Sequence, residues 1–300
     1  MTSPAHPRIF VTGATGQLGR LVIGALLRNI PATRIVAGVR RTDSDVARDL
    51  AALGLELRIA DYSRPETLAS AFLGVDRLLL ISSSEVGQRT AQHGNVIAAA
   101  TRAGVGLLAY TSVLRADVSP LALAQEHRET EALLRASGTP FVLLRNGWYT
   151  ENYAASIAPA LAHGVFIGAA GDGRIASAAR ADYAEAAAAV LTGADQAGRI
   201  YELAGDEAYT LGEFAAAISD VAGRKIAYQN LPEADFAAAL VGAGLPEAFA
   251  ALLADSDVGA AKGALFDNGL QLNTLIGRPT APYAVTIAQT LATLGAATRE

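Results

Sequence analysis

Along the first half of the chain, apolar and partly β-branched runs alternate with stretches whose apolar residues recur at helical spacing. Arg8–Thr12 reads as a strand that ends at glycines, and Gln17–Arg28 as the helix that follows. The same order continues with strand Arg34–Val39, a helix over about Asp45–Ala52, strand Leu55–Ala60, a helix over about Arg64–Leu73, and strand Arg77–Ile81. A helix over about Gln88–Ala103, strand Gly106–Tyr110, a helix over about Ala122–Ala136 and strand Phe141–Leu144 complete the series. Nearly continuous apolar strands joined by helical crossovers predict a parallel sheet covered on both faces, the doubly wound α/β (Rossmann) architecture.

After Arg145 the rhythm breaks into alanine-rich helical stretches and short strands. The pattern predicts a Rossmann domain over residues 1–145 and a smaller α+β substrate subdomain over 146–300, with a strand at 200–205 returning to the first sheet. Thr210 and Glu213 have capping-box spacing ahead of an apolar helix. Pro232 and Pro246 each open a further helical stretch, and Pro279 and Pro282 precede the last, about Tyr283–Leu294.

The loop Gly13-Ala-Thr15-Gly16-Gln17-Leu18-Gly19 lies where the first strand turns into the first helix. Backbone N–H groups and the positive helix end converge there, so a pyrophosphate fits. The first glycine permits the turn, the second lets a diphosphate approach the backbone, and the third lets the helix pack on the strand. At the end of the second strand, where an acid would take the ribose 2′-hydroxyl of NAD, stands Arg40-Arg41. A guanidinium at this point suits a 2′-phosphate, so NADPH is expected over NADH; a solvated surface pair is the other reading.

Composition narrows the chemistry. The formal charge is −5, from 24 basic and 29 acidic residues, which lacks the basic footprint that nucleic acid requires. With no cysteine there is no disulfide, thiolate metal site or cysteine nucleophile. His6, His93, His127 and His163 include no pair at metal-binding helical spacing, and no Walker loop or G-x-S-x-G elbow occurs, so neither a metal nor those chemistries is expected. Asp255-Ser-Asp257 opens like a calcium loop, but its twelfth position is Phe266. Met1–Pro7 carries no export signal and no apolar run is long enough to span a bilayer, so a cytoplasmic protein without a membrane partner is expected.

The TGATGQLG loop resembles that of the NmrA-like, atypical branch of the short-chain dehydrogenase superfamily. LLLISSSEVGQR (Leu78–Arg89), LLRNGWYTENY (Leu143–Tyr153) and HGVFIGAAGDGRIASAARADYA (His163–Ala184) further resemble the flavin-free type 2 NAD(P)H:quinone oxidoreductases of bacteria. The resemblance implies hydride transfer from NADPH directly to a quinone. Most short-chain dehydrogenases use Tyr-x-x-x-Lys to protonate a carbonyl oxygen. Here the only lysines, Lys225 and Lys262, follow Val221 and Val258 by four, so that motif is absent. A quinone, whose reduction yields a weakly basic hydroquinone anion, needs little acid help; positioning of two flat rings matters more.

The resemblance implies further site residues. Asp61-Tyr62 falls where relatives hold adenine, and Ser82-Ser83-Ser84 and Tyr110-Thr111-Ser112 end strands at the ligand-binding edge, near ribose and nicotinamide. The serines also suit helix capping. Gly147 allows backbone contact with the carboxamide, and Asn146 suits both the cofactor and a quinone oxygen. Trp148 and Tyr149 suit one wall of a flat pocket or packing between subdomains, and Phe166 is a pocket-lining candidate. His127 suits contact with the ribose, a proton relay, or simple capping and packing. Tyr110, Asn146 and Tyr149 form the candidate catalytic set. An NADP(H)-binding redox sensor without turnover, or a reductase of dyes or enones, are the competing functions; oligomeric state stays open.

Overall fold

The computed structural model describes residues 6–297; the first five residues of the Met1–Pro7 segment lie outside them. The chain divides into two compact units. The first comprises residues 6–116, Gln125–Asn146 and Arg180–Tyr201; the second comprises Asp117–Ala124, Gly147–Ala179 and residues 202–297.

The first unit follows the alternating pattern: β1 (Ile9–Val11), α1 (Gln17–Leu27), β2 (Ile35–Val39), α2 (Asp45–Ala52), β3 (Glu56–Ile59), α3 (Pro65–Ala71), β4 (Arg77–Leu80), α4 (Arg89–Arg102), β5 (Leu107–Val113), α5 (Ala124–Ala136) and β6 (Phe141–Asn146). After α6 (Thr150–Ala154), α7 (Ile157–His163) and β7 (Val165–Gly168), helix α8 (Arg180–Thr192) packs along α1, and β8 (Ile200–Leu203) closes the sheet. The strand order is β3-β2-β1-β4-β5-β6-β8, and the pairs from β3 through β6 are parallel. β1 therefore lies between β2 and β4, where the winding reverses and a crevice opens at the carboxyl ends of the strands.

Burial on both faces explains why these strands read as apolar runs: every residue of β1, β2 and β5 is buried. Phe10 of β1 meets Phe72 edge-on at 5.0 Å within this core. Alanines on α8 (Ala184, Ala186, Ala187 and Ala188) are buried, and such small side chains permit its close approach to α1.

The second unit has a two-stranded parallel sheet, β7 with β9 (Ala227–Asn230), and the helices α9 (Leu211–Ala222), α10 (Glu233–Gly242), α11 (Glu247–Ala261), α12 (Gln271–Ile276) and α13 (Tyr283–Ala297). Thr210 and Glu213 form a complete capping box on α9. Asp257 of α11 is 3% exposed and links three elements: its carboxylate accepts from the Tyr153 hydroxyl at 3.0 Å and from the Ala169 N–H at 2.8 Å. No helix of the described residues is long and apolar enough to cross a membrane.

Burial pushes the Asp257 carboxyl up to about 6 from the ordinary 3.8. The folded state thus prefers the neutral acid: its stabilising contribution is complete below about pH 3.8 and is lost as pH rises through about 6. Asp257→Asn stays neutral and keeps a hydrogen-bonding amide at the same site. Its stability relative to wild type should therefore rise by ~1–3 kcal/mol between pH 4 and 7, measured as paired urea titrations. Parallel pH profiles would show that this carboxyl titrates as an exposed one.

Candidate functional site

A cleft of about 550 Å³ lies at the carboxyl ends of the first four strands, entirely within the first unit. It is lined by Gly13, Thr15, Gly16, Gln17, Leu18 and Gly19 after β1; by Gly38 and Arg40 at the end of β2; by Ala60, Asp61 and Tyr62 after β3; and by Ile81 to Glu85 after β4, with Gln92 of α4. The sequence-predicted cofactor residues that meet there are the six of the glycine loop, Arg40, Asp61, Tyr62, Ser82, Ser83 and Ser84.

The glycine loop has the form a diphosphate requires. Gly13 sits at φ +57°, a left-handed turn that glycine adopts without cost. Gly16 is the N-cap of α1, with no side-chain cap and no acidic residue in the first turn, so the helix end faces the cleft with its positive pole uncovered. A Cβ on Gly19 would stand 2.8 Å from the Ala14 Cα and closer still to the Gly13 carbonyl, so the loop lies flat against the helix only with glycine there. The residues present therefore fit a pyrophosphate. Among the described residues that line the cleft, Arg40 alone is basic.

The remaining walls are pinned by hydrogen bonds. Thr12 Oγ1 accepts from the Ile81 N–H at 3.0 Å and donates to the Leu79 carbonyl at 2.9 Å. The Tyr62 hydroxyl reaches Thr12 Oγ1 and the Ile81 carbonyl, and burial keeps this phenol well above the ordinary tyrosine range, hence neutral. The Asp61 N–H donates to Thr67 Oγ1 at 3.0 Å, and the Asn95 amide holds the Tyr62 carbonyl at 2.9 Å.

The serine loop is fastened at three points. The Ser82 N–H donates to Thr111 Oγ1 at 2.9 Å, the Ser83 N–H donates to His93 Nε2 at 3.0 Å, and Arg89 Nε donates to the Ser83 carbonyl at 2.8 Å. Accepting that N–H requires His93 to carry its proton on Nδ1, which lies 2.9 Å from Thr130 Oγ1; that hydroxyl donates onward to the Glu126 carbonyl. Burial first, and the Arg89 charge second, push the His93 imidazole down to about 3, so it remains a neutral acceptor. Glu126 Oε1 receives the N–H groups of Gly87 and Arg89 and so fixes the end of the loop.

The other candidates lie outside the cleft lining. Tyr110 is fully buried and its hydroxyl lies 2.7 Å from His127 Nδ1; burial raises the phenol, and burial with the Arg89 charge keeps His127 well below the ordinary histidine range. Neither lines the cleft. Thr111 serves it indirectly through Ser82, and Ser112 donates to Glu131 Oε1 at 2.7 Å. Asn146 is buried at the end of β6. In the second unit, the Gly147 N–H donates to the Leu203 carbonyl at 2.7 Å. Trp148 is buried against Tyr153, Phe166 packs on Phe214 at 5.4 Å with 2% exposure, and Tyr149 is half-buried.

Gly38, Ile81, Glu85, Gln92 and the fasteners His93, Arg89 and Glu126 escaped the sequence reading. A signal for three of them exists: Arg89, Gln92 and His93 occupy the same stripe of α4 as the buried Val96, Ile97, Ala99 and Ala100. Polar residues in a core-facing stripe are the mark of groups buried with partners.

A sequence model of the NmrA-like family matches residues 5–268. The chain belongs to that family. This NmrA-like protein is 58% identical over 279 residues to quinone oxidoreductase 2 of Escherichia coli (strain K12), covering 93% of this chain and 97% of the relative. Its fold is also similar to the crystal structure of an Escherichia coli NADPH-dependent quinone oxidoreductase complexed with NADPH, with a TM-score of 0.92, 57% identity, and 94% and 99% of the two chains covered. The Citrobacter triphenylmethane reductase complexed with NADP(H) is similar at 38% identity and a TM-score of 0.89, over 94% of this chain and 99% of the other.

Proposed function

We propose that this NmrA-like protein is an NADPH-dependent quinone oxidoreductase that passes hydride directly to the quinone, without flavin or metal. The observation that carries the reading is the glycine-loop cleft with Arg40 at the end of β2, in a chain 57% identical to a quinone oxidoreductase crystallised with NADPH. Bound NADPH would supply a two-electron hydride, and a quinone accepts one at carbon or oxygen without prior protonation.

The chain's own residues then have distinct tasks. The first turn of α1 and the glycine loop hold the diphosphate by backbone N–H groups, and the Arg40 guanidinium takes the 2′-phosphate. Asp61 and Tyr62 would border the adenine, and the pinned serine loop would border the sugar. Asn146 is the proposed hydrogen-bond donor to a quinone oxygen, and Tyr149, only half-buried, the proposed aromatic partner of the ring. Trp148 and Phe166 are better assigned to the apolar packing of the second unit, which their burial and ring contacts support. Tyr110 and His127, buried and bonded to each other, act as positioning residues for β5.

The test is oxidation of NADPH by a benzoquinone with no added flavin, followed at the nicotinamide absorbance band. Turnover should be seen in wild type. In Arg40→Ala, the loss of charged hydrogen bonds to phosphate should raise the Michaelis constant for NADPH about 10- to 100-fold and that for NADH less than about threefold. NADPH binding without oxidation across a quinone panel would instead identify a sensor.

A further inference from the structure

Arg40 does not stand alone at the rim of the cleft. Its Nη1 lies 3.5 Å from Glu85 Oε1, across from the end of β2 to the loop between β4 and α4. Both side chains line the same cleft, and they are 75% and 50% exposed. The other carboxylate oxygen of Glu85 accepts from Gln92 Nε2 at 2.8 Å, and the same nitrogen donates to Ser63 Oγ at 3.0 Å. Gln92 is only 5% exposed, and because a carboxylate only accepts, its amide must present the nitrogen to Glu85. A surface glutamate paired to an arginine is ordinarily free to swing away. Glu85 is held by a buried amide that is itself held.

We propose that Glu85 is a specificity-determining residue that competes with the cofactor 2′-phosphate for Arg40, so that it moderates the preference for NADPH over NADH. The proposal rests on the reading of Arg40 as the 2′-phosphate clamp. A phosphate arriving at the guanidinium meets a carboxylate already there, and the two anions repel within a few ångströms. Binding then requires the Arg40–Glu85 pair to loosen. A 2′-hydroxyl meets no such repulsion and offers Glu85 a proton to accept. The carboxylate therefore weakens NADPH selectively, while the guanidinium strengthens it.

Glu85→Gln removes the charge and keeps a carbonyl oxygen for Gln92, so the loop remains fastened. Dissociation constants for NADPH and NADH would be measured by nicotinamide fluorescence, and for 2′,5′-ADP and 5′-AMP by displacement, in wild type, Glu85→Gln and Arg40→Ala. In Glu85→Gln, NADPH and 2′,5′-ADP should bind about fivefold more tightly, the size of an exposed ion-pair effect, and NADH and 5′-AMP should change less than about twofold. The ratio of the NADH to the NADPH constant rises accordingly. An unchanged or lowered ratio, with Arg40→Ala still weakening NADPH, overturns the role of Glu85 and leaves the clamp intact. An Arg40→Ala variant that binds NADPH as wild type does overturns the clamp, and Glu85 competition with it.

Discussion

Gly19→Ala should weaken NADPH binding at least ~100-fold while leaving the protein folded, measured by nicotinamide fluorescence alongside a urea titration. A methyl at this position stands 2.8 Å from the Ala14 Cα and nearer to the Gly13 carbonyl, and both are backbone. No side chain can rotate away, so the loop must lift from α1. Overpacking of this kind costs roughly 1–3 kcal/mol of stability. The effect on binding is larger because a diphosphate reads several N–H groups at once, and a displacement of about 1 Å is enough to lose about 100-fold. Gly24, on the same helix, has open space where a methyl would stand, with nothing within 4 Å, and serves as the control: Gly24→Ala should bind NADPH as wild type does. Equal binding by both variants would show that contact between loop and helix does not shape the phosphate site.

The glycine loop was legible because its chemistry is local: a strand, three glycines and a helix, consecutive in sequence. So were β1, β2, β4, β5 and β6, whose apolar runs record burial between two layers, whereas β3 at the sheet edge has no buried residue. β9 carried no such mark, since Ala-Tyr-Gln-Asn is mostly exposed and takes strand form through its pairing with β7. Tyr110 illustrates a different limit. As the last residue of a strand read over Gly106–Tyr110 it suggested the ligand edge, but β5 runs on to Val113, and strand side chains alternate between faces. Tyr110 and Ser112 point to α5, where His127 and Glu131 stand one turn apart to receive them, and Thr111 between them points to the serine loop. The strand end identified the neighbourhood; only pairing and twist decide which alternate residue faces the cleft.

The pair that Ser112 joins carries the other large expected effect. Glu131 and Arg145 are 2% and 4% exposed, and Arg145 donates through Nε to Oε1 at 2.9 Å and through Nη2 to Oε2 at 2.8 Å. Burial pushes the Glu131 carboxyl up, but hydrogen bonds from Arg145 and Ser112 outweigh it and hold the group below the ordinary glutamate range, so the pair is ionised in the fold. Glu131→Ala leaves a guanidinium in the interior opposite a cavity, and urea unfolding should show a loss of about 3–5 kcal/mol. Replacing both partners, as Glu131→Leu with Arg145→Met, removes both buried charges together and should cost under ~2 kcal/mol. The difference between the two variants separates the cost of removing one side of the pair from the net value of the bridge. If the double variant loses as much as Glu131→Ala, the bidentate pair itself stabilises the junction of β5, β6 and α5, and its geometry rather than its neutrality is what the fold requires.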